Sequence, residues 1–431
     1  MKRLVALFIL IAAPLRAEVD ITPVTSPSGL EAWLVEERSI PFVALELVFE
    51  GGATLDEDDT AGAVNMMAAL LSEGAGDLDA QEFAMRSEEL AARLSFDAGR
   101  DTVSVTARFL TEDAEAVIDH LRMALTEPRF DEDAIERVRA QTLASLRRDE
   151  RDPNTLAARA FASAAFDGHA YARPASGTPD TVGALDRDAL RAAHEGAIAR
   201  DRVHIGAAGD IDADTLGTLL DRLFDGIPDA GAAIPDRVSF QADPGVEVIS
   251  FDGPQTVIAF GHAGIPRDDP DFLSAFVANE IFGGGRFGTR LMRSLREERG
   301  LTYGIGSFLS SGLLGDSYQG RLSTDNANVE VVMDLLREEW TRIAEDGVTE
   351  EELDRIVTYL TGAYPLRFDG NGSIASIMAS MQYQGFDIDY VNIRNDLIRD
   401  LTLDEVNDVA ARLFDPDALV FFAVGQPVGV N

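Results

Sequence analysis

The 431-residue chain has no cysteine. That removes disulfides, thiolate zinc sites and cysteine nucleophiles together, and leaves the redox compartment open. Histidine is sparse: His120, His169, His194, His204 and His262 are the five present. No two stand four apart, as a helical metal-binding pair would, and His194-Glu195 lacks a second histidine. There is no Gly-x-Ser-x-Gly elbow. The run Gly283-Gly284-Gly285-Arg286-Phe287-Gly288 lacks the Gly-Lys-Ser/Thr ending of a phosphate cradle, so a turn explains it. Positive charge is also scarce: 37 basic against 75 acidic residues give a net charge of −38. Such a chain repels nucleic acid and anionic membranes. The acidic residues are spread over the whole length, which reads as solvation in a salty medium rather than as a site for basic peptides.

The N-terminus carries a short basic head, Met1-Lys2-Arg3, then a mostly apolar run from Leu4 to Leu15 and a small residue at Ala17. This is the pattern of a secretory signal cut after Ala17, and it predicts a periplasmic protein. The run is too short for a membrane span, and no later stretch resembles one.

Along the mature chain, Phe42 to Phe49 is β-rich, and Ala61 to Ser72 is a helix with no ionisable side chain, hence buried. Ala80 to Leu94 reads as an amphipathic helix, and Leu94–Phe96 with Thr102–Leu110 as a hairpin. Residues 226–245 hold Pro228, Pro235 and Pro244 among glycines and read as a linker. Beyond it the order repeats. A strand, "TEDAEAVIDHLRMAL" and "FDEDAIERVRAQTL" in the first half correspond to a strand, "TDNANVEVVMDLLREEW" and "VTEEELDRIVTYL" in the second. A duplication of about 200 residues follows. It divides the chain into residues 18–225 and 246–431, each with the α+β character of antiparallel hairpins and long helices.

The segment from Leu291 to Gly304 reads as the last turns of a helix, a stop at Gly300 and the start of a strand. It could aim the guanidinium of Arg296 and the phenol of Tyr303 at one point and grip a carbonyl or carboxylate. Equally, an arginine near a helix C-terminus complements the macrodipole, and a strand tyrosine can simply pack.

Gly284-Gly285-Arg286-Phe287-Gly288-Thr289-Arg290-Leu291, continued through Leu295-Arg296-Glu297-Glu298-Arg299-Gly300-Leu301-Thr302-Tyr303, resembles the C-terminal half of the insulinase-like (M16) zinc peptidases. Phe49-Glu50-Gly51-Gly52, the buried helix, the Asp152-Pro153 start and the Tyr171-Ala172-Arg173-Pro174 loop extend the resemblance over the mature chain. It implies two similar α+β domains forming half of a clamshell that encloses a peptide. It also implies that Arg296 and Tyr303 hydrogen-bond the substrate backbone. The family's His-x-x-Glu-His motif is missing. Asn65, Ala68 and Ala69 occupy its positions, and the third ligand falls near Ser145, with no carboxylate between Glu136 and Asp149. A methyl group neither ligates zinc nor takes a proton. By resemblance, then, the chain is a substrate-binding subunit that is not catalytic alone. It would bind no cofactor and pair as a heterodimer with a homologous His-x-x-Glu-His subunit that carries the zinc. The alternative is a peptidase-derived peptide-binding or scaffold protein without hydrolytic role.

Overall fold

The computed structural model describes residues 19–430. The segment Met1 to Ala17, read from the sequence as a secretory signal, lies outside the described residues. The first half contains strands β1 (Thr22–Thr25), β2 (Glu31–Glu36), β3 (Phe42–Glu50), β4 (Gly74–Ala75), β5 (Leu78–Asp79), β6 (Arg93–Ala98), β7 (Thr102–Leu110) and β8 (Val203–Gly209). Its helices are α1 (Ala63–Leu70), α2 (Ala80–Glu89), α3 (Ala114–Thr126), α4 (Glu132–Asp149), α5 (Pro153–Ala165), α6 (Pro179–Ala184), α7 (Arg187–Ala197) and α8 (Ala213–Leu223). The second half contains β9 (Gly245–Ser250), β10 (Gln255–Ala263), β11 (Ile305–Ser311), β12 (Asp316–Asp325) and β13 (Val420–Gly425). Its helices are α9 (Phe272–Phe282), α10 (Val329–Asp346), α11 (Glu350–Ala363), α12 (Asn371–Tyr383), α13 (Tyr390–Arg399) and α14 (Leu403–Leu413).

The two sheets share one plan. The first runs β1-β2-β8-β3-β7-β6 and the second β9-β13-β10-β12-β11. In each, one parallel pair (β2 with β8, β9 with β13) is followed by antiparallel neighbours. Apart from β1, every main strand therefore has a counterpart, as the duplicated sequence pattern predicts. The fold is a two-domain α+β architecture with helices packed on sheets.

The halves exchange a helix. Helix α5 belongs to the first half, yet Ala157, Phe161 and Ala165 pack with Val257, Ala259, Val420 and Phe422 of the second sheet. Its counterpart α12 lies on the first sheet, with Ala375 and Met378 against Ala44 and Ala208. Asn371 Nδ2 donates to the Phe42 carbonyl (3.4 Å) and Gln382 Nε2 to the Ile205 carbonyl (2.7 Å), pinning both ends of α12. The approach needs Gly206: a Cβ there would stand 2.1 Å from the Ala375 carbonyl oxygen. Helices α12 and α13 are absent from the sequence reading.

Residues 227–244 form no helix or strand. Far from hanging free, they run along the interface. Phe240 packs on Phe161 and Phe166, and the Val238 and Gln241 amides donate to the Leu314 and Ala165 carbonyls. Tyr171 closes the junction: its hydroxyl donates to Asp101 Oδ2 (2.7 Å) and accepts from the Leu314 amide (2.9 Å).

Local boundaries also differ from the sequence reading. Helix α2 stops at Glu89, and Leu94 lies in β6; Ala91, in a left-handed conformation (φ 47°), makes the break. The segment bearing Arg296 is a π-turn, Met292–Glu297, rather than the end of an α-helix. Tyr303 precedes β11 instead of lying in it.

Helix α1 is buried through Ala63, Val64, Met66, Met67, Ala68 and Leu70. Asp56 caps it, accepting from the Gly62 (2.8 Å) and Val64 (3.0 Å) amides. Burial raises the Asp56 carboxyl to about 6, against the pull of those amides and of Arg173. Unfolded aspartate titrates at about 3.9, so the native state holds a proton that the unfolded state gives up. The contribution to stability is greatest below about pH 4 and declines as the pH rises through about 6. Wild type minus Asp56→Asn in unfolding free energy should fall across that window; parallel profiles would contradict the assignment. Phe161→Ala should cost about 3–5 kcal/mol in urea unfolding, and a loss below about 1 kcal/mol would mean that α5 does not anchor the second sheet.

Candidate functional site

The turn after the π-segment explains how Arg296 and Tyr303 are presented. Leu291, Met292 and Leu295 are buried and fix one face of the segment. The Glu298 amide reaches back five residues to the Arg293 carbonyl (3.0 Å), the widened spacing of a π-turn. Arg299 Nη1 donates to the Ser294 carbonyl at 2.8 Å. Gly300 then takes φ 64°, its amide donating to the Arg296 carbonyl (3.0 Å), while the Leu301 amide donates to the Leu295 carbonyl (2.8 Å). A left-handed C-terminal glycine is what the sequence predicts at that position.

Among the described residues, the turn leaves the Arg296 and Tyr303 side chains without hydrogen-bond partners. Arg296 makes neither a side-chain hydrogen bond nor an ion pair within the described chain; its guanidinium lies 4.6 Å from the centre of the Phe287 ring. Phe287 is 70% exposed and Tyr303 86% exposed. Stacking orients the guanidinium plane and leaves its N–H edges unspent. Beside the turn is a cleft of about 380 Å³ lined by Asn154, Gly285, Gly304, Gly306 and Arg321. Arg321 and Phe287 were not singled out from the sequence. Arg321 occupies an exposed position of β12 between buried Gly320 and Leu322, so strand alternation was the available signal.

The glycine run serves the turn. The Gly283 carbonyl accepts from the Gly285 and Ser307 amides, both at 2.6 Å, drawing the loop onto β11. Strand β11 pairs only with β12 and is a sheet edge.

The zinc-motif positions are built differently. Asn65 Nδ2 donates to the Ala98 carbonyl at 3.3 Å, tying α1 to the end of edge strand β6. Ala68 is buried in the core, and Ala69 presents a bare methyl to solvent. Ser145, on α4, offers a hydroxyl where the resemblance places a glutamate. These residues do not fit zinc. Among the described residues no three His, Cys, Asp or Glu side chains converge as a metal-binding group.

The histidines are engaged elsewhere. His120 stacks on Phe83 (4.0 Å between centroids) and meets Ser87 Oγ at 2.9 Å. His169 Nε2 meets the Asp236 carbonyl (3.0 Å), His194 Nε2 the Leu125 carbonyl (2.9 Å), and His204 Nε2 Glu50 (2.7 Å). His262 Nε2 accepts from Trp340 Nε1 at 3.0 Å. Burial lowers the values of His120, His194 and His262, favouring their neutral forms. Among the described residues no helix is long and apolar enough to cross a membrane.

Comparison with known proteins gives the family. A family model for insulinase (peptidase family M16) matches residues 33–179, and one for the peptidase M16 inactive domain matches residues 184–360. The non-peptidase homolog YmxG of Helicobacter pylori is 27% identical over 396 residues, 91% of this chain and 90% of that protein. An uncharacterized zinc protease of Streptomyces coelicolor is also 27% identical, over 361 residues, 81% of this chain and 78% of that one. The crystal structure of a peptidase M16 inactive domain from Pseudomonas fluorescens superposes with a TM-score of 0.87 at 25% identity, covering 96% of this chain and 100% of that one. With both models matched in chain order on one duplicated fold, the chain belongs to the M16 peptidase family, and the matched inactive-domain model and the non-peptidase homolog YmxG are the members it resembles.

Proposed function

We propose that this chain is the substrate-binding, non-catalytic subunit of a two-chain M16 peptidase, with zinc supplied by a homologous partner that carries His-x-x-Glu-His. The observation that carries this reading is that an unspent Arg296, over the Phe287 ring, and an exposed Tyr303 flank the same Gly300 turn, beside a cleft. Arginine offers a planar fork of donors and tyrosine a single hydroxyl. Directed at the carbonyls of an extended peptide, they fix its register. They also favour the negative charge that grows on a carbonyl oxygen during hydrolysis. Export to the periplasm belongs to the same proposal and rests on the basic head and apolar run before Ala17.

The test is kinetic, in a complex reconstituted with a His-x-x-Glu-His partner. Arg296→Ala should lower kcat/KM by about 2–4 kcal/mol of transition-state stabilisation, and Tyr303→Phe by about 0.5–1.5 kcal/mol. Unchanged kcat/KM in Arg296→Ala would remove the role and favour a scaffold.

A further inference from the structure

A second pocket, of about 280 Å³, opens between Arg267, the start of α9, the turn at Tyr364–Phe368, α12 and the start of α13. Three arginines line it, Arg267, Arg367 and Arg394, and no aspartate or glutamate does. That is unexpected in a chain with 75 acidic residues against 37 basic ones. Arg267 and Arg367 make no ion pair or side-chain hydrogen bond within the described chain, and Arg267 Nε is buried without a partner. Arg394 is 9% exposed; its Nη1 donates to Asn395 Oδ1 at 3.3 Å, and the Tyr390 side chain also hydrogen-bonds it. Of the carboxylates that act on these arginines from outside the wall, Glu280 pairs with Arg286 at 2.9 Å and Asp316 pairs with Arg237. Burial pulls the Arg267 and Arg394 guanidiniums below their ordinary values, against the pull of neighbouring tyrosines and, for Arg267, of Asp316.

The rest of the wall is apolar or aromatic. The Arg267 guanidinium lies over the Phe272 ring at 4.5 Å and that of Arg394 over Tyr364 at 4.3 Å. Phe386 and Tyr390 stack at 4.0 Å. Guanidiniums seated over aromatic faces keep N–H groups for a planar, bidentate acceptor. Partly buried cations without counter-charges are costly, and an incoming anion relieves that cost.

We propose that this pocket is a second binding site, for a carboxylate borne on an apolar or aromatic body, held by Arg267, Arg367 and Arg394. It stands apart from the Arg296 turn. Phe272 and Phe276 place it at the start of α9, whereas the glycine run follows the other end of that 11-residue helix, about 16 Å away along the axis. The carboxylate can come from a polypeptide C-terminus or from a free hydrophobic acid.

Calorimetry on the full mature chain tests this. The probes are N-acetylphenylalanine, its carboxamide, a hexapeptide ending in phenylalanine with a free or amidated C-terminus, and inorganic phosphate. Both free acids should bind at least tenfold more tightly than their amides. Arg267→Gln should weaken them at least tenfold. Arg367→Gln, an exposed change that leaves the core intact, should weaken them several-fold. Tighter binding of the peptide acid than of N-acetylphenylalanine identifies a chain terminus as the source; equal binding identifies a free acid. Amides or phosphate binding as tightly as the acids, or no acid binding at all, would overturn the proposal. So would acid affinity unchanged in Arg367→Gln; that variant decides the matter if Arg267→Gln fails to fold.

Discussion

The reciprocal exchange of α5 and α12 is the constraint on which the rest of this molecule depends. Each half lends its equivalent helix to the other's sheet, so neither sheet is covered on that face by its own half. The junction is sealed by the packed 227–244 segment and by Tyr171, whose hydroxyl joins Asp101 to the Leu314 amide. Both candidate sites lean on this junction. The cleft beside Gly304 takes Asn154 from the first turn of α5, and the arginine pocket takes one wall from α12.

Helix α1 stands without a metal. Helix α1 is held by buried apolar side chains and by the Asp56 cap, neither of which involves a metal. At the first of the positions that the resemblance assigns to the motif, Asn65 is a tie to the edge strand β6. At the other two, alanine side chains leave nothing to ligate. The second half shows the opposite pattern. There the tightly hydrogen-bonded loop from Gly283 to Tyr303 presents two polar side chains that have no hydrogen-bond partner among the described residues.

What was legible in the sequence was local or repeated. The turn at Gly300 needs a left-handed residue, and glycine announces it. The duplication appears because both copies keep the same helix starts and turn chemistry. The missing motif could be read because the relevant residues lie within five positions of one another. The π-turn was not legible: it differs from an α-helix by one extra residue in the turn, while the apolar spacing of Leu291 and Leu295 is the same for both. Helix α12 was missed for a different reason. Its buried residues, Asn371, Ala375, Met378, Ala379 and Met381, are small or polar as often as apolar. They face a sheet built by residues more than 150 positions earlier in the chain. The stacking of Arg296 on Phe287 and the gathering of Arg267, Arg367 and Arg394 likewise depend on tertiary approach that no window of sequence contains.

The central claim is that this chain grips a peptide and leaves zinc chemistry to another protein. The most direct measurement is peptide cleavage, with zinc stoichiometry, by the purified chain alone, by a His-x-x-Glu-His-bearing M16 partner alone, and by their mixture. The account predicts no cleavage and no bound zinc for this chain alone, and chelator-sensitive cleavage that appears only in the mixture. Chelator-sensitive cleavage by this chain alone, with zinc bound in equimolar amount, would contradict it.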